Sequence, residues 1–94
     1  MEKNMDRTII TVVGKDTVGI IARVCTYLSE HGINVLDISQ TIVQEFFNMM
    51  MIADMKNADK PFDQCARDLE ALGEEIGVNI KCQREEIFQK MHRI

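Results

Sequence analysis

No apolar run in this 94-residue chain approaches the roughly 20 residues that a membrane-spanning helix needs. The first ten residues, MEKNMDRTII, are charged and lack the apolar stretch of a secretory signal. Both absences lead to the expectation of a cytoplasmic protein with no membrane partner. Basic residues are not in excess. Eleven Lys and Arg face fifteen Asp and Glu, for a net charge of −4, which argues against nucleic acid, whose phosphates call for a basic patch. Cysteine occurs only three times, at Cys25, Cys65 and Cys82, odd in number and scattered, as expected of free, buried thiols in a reducing compartment. The length leaves no room for a second core, and 46% hydrophobic with 28% charged residues is ordinary for a globular chain.

The chemistry-bearing motifs are also missing. GKDTVGI (14–20) has two glycines, but Lys15 follows the first and Ile20 the second, whereas a phosphate loop needs Lys and then Ser or Thr after its second glycine. There is no G-x-G-x-x-G fingerprint and no C-x-x-C. The inner strands lack the aromatic and basic pattern of an RNA-recognition module. Arg23 is the nearest arginine to the first loop and lies inside a helix, so an acylphosphatase-like site is not formed. His31 and His92 lack metal-ligand spacing. Neither Ser29 nor Ser39 sits in a nucleophile elbow. No set of nucleophile, base and orienting group emerges, so no enzyme, metal or cofactor is expected.

What is present is a clear order of elements. After a polar tail (1–6), RTIITVV (7–13) is β-branched and apolar on both faces, as in a central strand. The period then turns helical. Val18, Ile21, Ala22, Cys25 and Leu28 form one stripe, broadened by Ile20, Val24 and Tyr27, with Asp16 or Thr17 to cap the first amides and Gly32 after the end. NVLDISQTIV (34–43) alternates, placing Leu36, Ile38, Gln40 and Ile42 on one face and Val35, Asp37, Ser39, Thr41 and Val43 on the other. Across Gln44 and Glu45 it forms a hairpin with FFNMMMIADM (46–55). Here Met49, Met51 and Met55 share one face and Met50 and Ile52 the other, so one face needs a cover from outside the main helices.

Pro61 suits a first helical position. Phe62, Cys65, Ala66, Leu69, Leu72 and Ile76 make the second stripe, ended by Gly77, while Asp63, Asp68, Glu70, Glu74 and Glu75 read as a solvated acidic face. VNIKCQR (78–84) alternates with Val78, Ile80 and Cys82 inward. EEIFQKMHRI (85–94) reads as a short helix carrying Ile87, Phe88, Met91 and Ile94, which should dock on the open sheet face or on a partner. The order βαββαβ predicts an α+β, ferredoxin-like sandwich with the first and third strands innermost and both helices on one face.

The stretch TVVGKDTVGIIARV, its D-x-x-G-I core (Asp16, Gly19, Ile20), and HGINVLDIS with its G-x-N (Gly32, Asn34) resemble the ACT domain, a small regulatory module of amino-acid metabolism. The resemblance covers 7–84, leaving 85–94 as an extension. It extends to small stand-alone bacterial and archaeal ACT proteins and to the ACT halves of the glycine cleavage system transcriptional repressor. It implies a homodimer that holds a small amino acid between the first loop and the second strand, with Gly14, Asp16, Thr17, Val18, Gly19 and Asn34 as the binding residues, and a protein target reached in trans. A pairing module without a ligand is the alternative.

Overall fold

The computed structural model describes residues 6–15 and 19–85. The elements are β1 (Arg7–Lys15), α1 (Ile20–Glu30), β2 (Asn34–Val43), β3 (Phe46–Asp54), α2 (Phe62–Ile76) and β4 (Val78–Arg84). All neighbouring strands are antiparallel, in the order β2-β3-β1-β4. The expected ferredoxin-like βαββαβ fold is present, and the two strands that are apolar on both faces, β1 and β3, occupy the middle.

Alternation sorts the central strands as expected. Ile10 and Val12 of β1, and Phe47, Met49, Met51 and Ala53 of β3, join Val78 and Ile80 of β4 beneath the helices. Opposed residues of an antiparallel pair share a face. Ile9, Thr11 and Val13 therefore lie with Ile52, Met50 and Asn48 on the other, helix-free face.

β2 departs from the simple alternation. A register shift between Val35 and Asp37 inserts one residue. Val35 then pairs with Ala53 on the helix side, while Asp37 pairs with Ile52 on the open side. Val35 and Asp37 are thus not on one face, because a bulge reverses the parity of everything beyond it.

α1 also turns a different row inward than its stripe suggests. Ile20, Val24 and Leu28 are buried, Ile21, Cys25 and Tyr27 are partly covered, and Ala22 is exposed. Apolar residues surround this helix on several sides, and the i, i+4, i+8 row of larger side chains takes the sheet contact. Its N-cap is Gly19, which contributes no side-chain cap. At its other end the Ile33 and Gly32 amides donate to Leu28 (2.9 Å) and Ser29 (3.4 Å) carbonyls, a Schellman closure with Gly32 at φ 74°. Pro61 is the N-cap of α2 rather than its first helical residue, and Gly77 caps the C-terminus at φ 85°.

One polar atom in the core stands out. Thr8 is fully buried, and its Oγ1 has no hydrogen-bond partner among the described residues. An unsatisfied buried hydroxyl costs about 1–3 kcal/mol. Thr8→Val keeps the branched shape and removes that cost, so the expected result is a rise in melting temperature of roughly 4–8 °C for each 1 kcal/mol recovered. A fall on calorimetry would show that the hydroxyl is bonded after all.

Candidate functional site

β1 ends in Gly14 and Lys15, and α1 starts after Gly19. Asp16, Thr17 and Val18 lie outside the described residues. Gly14 is half-buried inside the strand, paired with Phe47 and Val78. A Cβ there would stand 2.9 Å from Val78 Cγ1 and 3.0 Å from its Cα. The close approach of β4 therefore requires glycine at this position whether or not a ligand binds. Gly19 is the opposite case. It is exposed, adopts φ 90°, and a Cβ there would meet nothing within 4 Å among the described residues. It puts no side chain of its own in front of the first amides of α1, where the helix dipole favours a negative group.

Asn34 is not beside this loop. It opens β2 opposite Asp54, which pairs with Arg7 at the start of β1. Lys15 pairs with Phe46, which pairs with Val43 at the far end of the sheet. Gly14 and Gly19 therefore share one end of the molecule, and Asn34 stands at the other, about 26 Å of strand away. Around Asn34 is a shallow cleft of about 420 Å³ whose lining includes Cys25, Ser29, Gly32 and Val35. It lies between α1 and the start of the edge strand.

A second groove, about 480 Å³, runs between α1 and α2. Its polar groups largely satisfy one another. The Tyr27 hydroxyl donates to Asp68 Oδ2 at 2.6 Å, Lys60 Nζ to the same oxygen at 2.9 Å, and Gln64 Nε2 to Oδ1 at 2.8 Å. The bond from Tyr27, followed by those from Lys60 and Gln64, holds the Asp68 carboxyl well below the ordinary range. Burial, and then the bond to Asp68, keep the Tyr27 phenol protonated far above its usual value. Arg23 pairs with Glu75 at 3.2 Å across the same groove. Asp68 is thus not simply part of a solvated acidic face. It pins α2 to α1, a role that its helical spacing among other acids does not reveal.

The three cysteines are free. Cys65 is buried, while Cys25 and Cys82 are partly exposed. Burial pushes the Cys82 thiol up to about 12. Among the described residues there is no group of three or more His, Cys, Asp or Glu placed to hold a metal, and no helix long and apolar enough to cross a membrane.

Comparison with known proteins agrees with this architecture. The ACT domain family profile matches residues 6–83. A UPF0237 protein of Bifidobacterium longum is 70% identical over 90 residues, which cover 96% of this chain and 100% of the relative. The solved ACT domain protein from Streptococcus pneumoniae is 40% identical with TM-score 0.78, over 90% of this chain and 94% of that one. The regulatory subunit of aspartate kinase from Thermus thermophilus, in its ligand-free form, is 30% identical with TM-score 0.61, over 84% of this chain and 51% of that one. ACT domains are non-catalytic regulatory modules. By its fold, its family profile over residues 6–83 and a relative matched over its full length, this chain belongs to the ACT domain family.

Proposed function

We propose that this chain is a regulatory module that pairs with a second copy, holds a small amino acid between the two, and acts on a separate protein in trans. The observation that carries the reading is the separation of Gly19 from Asn34 along the sheet. Within one protomer they cannot meet around a small molecule. A two-fold pairing of β2 edges runs the two strands antiparallel. It carries Asn34 of the partner subunit toward the end where β1 passes into α1. The Gly19 end of α1 then receives the carboxylate, and the partner's Asn34 supplies an amide contact. Likeness to the regulatory subunit of aspartate kinase supports a regulatory role. Asp16, Thr17 and Val18 complete the loop in this proposal, with Asp16 facing the ammonium end.

The alternative, a pairing module without ligand, draws support from Gly14, whose missing side chain is explained by Val78 alone. Calorimetry of the protein against the twenty amino acids separates the two. The expected result is one or a few binders below millimolar concentration. Asn34→Ala, an exposed change, should weaken any of them by about 0.5–1.5 kcal/mol, roughly two- to tenfold. If no amino acid binds in that range, the ligand is lost from the account and pairing alone remains.

A further inference from the structure

The two ends of α1 carry opposite partial charges. Gly19 stands at the positive end. The cleft beside Asn34 stands at the negative end, where Leu28, Ser29 and Gly32 line it. The cleft also borders β2, the outer strand of the sheet. Antiparallel pairing of two β2 edges brings the Gly19 end of one protomer to this cleft of the other. An amino acid held by its carboxylate at Gly19 then extends its side chain into the cleft, and the cleft decides which side chain is accepted.

The lining holds no Asp, Glu, Lys, Arg or His. Leu28 and Ile33 are buried, Cys25 and Val35 are half-buried, and Ser29 and Asn34 are exposed. The neighbouring charges are engaged elsewhere. Glu30, next to Ser29, lines the groove between α1 and α2 instead. His31 Nδ1 lies 2.9 Å from Asp59 Oδ1. Asp54, opposite Asn34, accepts the amides of Asp6 and Lys56 at 3.0 Å each. A charged side chain entering the cleft would therefore lose water and gain no opposite charge. A carboxylate would also meet the carbonyl end of α1, which repels it. An aliphatic side chain would cover Ser29 and Asn34 without satisfying them.

We infer, resting on the shared site proposed above, that the cleft selects an amino acid whose side chain is small, uncharged and hydrogen-bonding, a hydroxyl or a carboxamide, and that Ser29 sets this choice. Both ends of α1 then act on one ligand. The positive end of one protomer receives the main-chain carboxylate, and the negative end of the other excludes a second one.

Calorimetry with isosteric pairs tests this on the unaltered protein. Asparagine and aspartate match in shape and differ in charge, as do glutamine and glutamate. The neutral member is expected to bind at least about tenfold more tightly. Serine, threonine, asparagine or glutamine should rank above valine, leucine and lysine. Ser29→Lys puts a cation at the cleft and should cut the preference for asparagine over aspartate about tenfold. Glu30→Lys changes the net charge by more, but on the side of the other groove, and should move that preference by no more than about twofold. The isosteric comparison decides the matter if Ser29→Lys does not fold. Aspartate binding as tightly as asparagine, or an aliphatic or basic amino acid ranking first, would overturn the selectivity and leave the shared site standing. So would an equal change in the two lysine variants. Absence of any binder would remove the shared site itself, and the selectivity with it.

Discussion

Gly73→Val is expected to lower the melting temperature by more than about 12 °C, while Gly77→Ala lowers it by much less. Both glycines stand near the end of α2, Gly73 inside the helix and Gly77 at its C-cap. The structure separates them. Gly73 is buried where α2 crosses β4, and a Cβ there would stand 2.6 Å from the Val78 carbonyl oxygen and 3.0 Å from Ile80 Cγ1. The obstructing oxygen is backbone, so α2 and β4 must move apart. Overpacking a tight contact costs about 1–3 kcal/mol, and valine places two further carbons on that Cβ. For Gly73→Ala the better helix propensity returns up to about 1 kcal/mol; for valine this return is smaller. A loss above about 3 kcal/mol is a large part of the roughly 5–15 kcal/mol that holds a small domain together, and each 1 kcal/mol is worth about 4–8 °C. Gly77 has φ 85° and a Cβ there would meet nothing within 4 Å among the described residues, so alanine meets only backbone strain of about 1–2 kcal/mol. Thermal unfolding by circular dichroism compares the three proteins. A Gly73→Val protein melting within a few degrees of the parent would mean that the helix and strand are not in close contact.

The same pair of glycines shows what the sequence makes legible. Gly32 and Gly77 end apolar stripes, and the end of a stripe is visible in one dimension, so both caps were readable. Gly73 lies inside a stripe, and its reason is a strand that returns across the helix, which only the tertiary arrangement supplies. The two-sided apolarity of RTIITVV and FFNMMMI placed β1 and β3 in the centre, because no other position hides both faces. The bulge at the start of β2 carries no compositional mark, and one inserted residue was enough to move Val35 away from Asp37. At the candidate site, the motif put Gly19 and Asn34 in one list. Strand direction puts them at opposite ends, because α1 must carry the chain back along the sheet before β2 can begin.

Ile42→Asp, alone or with Ile38→Asp, is expected to turn a dimer into monomers without unfolding the protomer. β2 is the outer strand next to β3, and its other edge has no strand partner among the described residues. It is ten residues long, and NVLDISQTIV contains no lysine or proline, the usual guards of an exposed edge. Its one irregularity lies at the Asn34 end, which leaves Ser39–Val43 regular. On the helix side, Ile38 and Ile42 pair with the buried Met51 and Phe47, yet they remain 40% and 52% exposed. An apolar, unguarded edge with isoleucines beside it suits a second copy in antiparallel register.

A two-fold axis repeats every change, so one substitution removes two isoleucines from the interface and introduces two carboxylates. Fully burying one isoleucine is worth roughly 1.5–3 kcal/mol. About half of that is available here, since each side chain is already about half covered in the protomer. Losing two such contributions corresponds to roughly a tenfold to hundredfold weaker dimer, before the carboxylates are desolvated. The protomer keeps its core because neither residue belongs to it. Light scattering at micromolar concentration should report half the parent mass, with far-ultraviolet circular dichroism unchanged. If the amino-acid site is shared between subunits as proposed, the heat of binding disappears in the same variant although Gly19 and Asn34 are intact. A monomeric parent, or an Ile42→Asp protein of unchanged mass, would remove β2 as the pairing edge. A monomeric variant that still binds its amino acid with the parent's affinity would keep the dimer but place the whole ligand site within one chain.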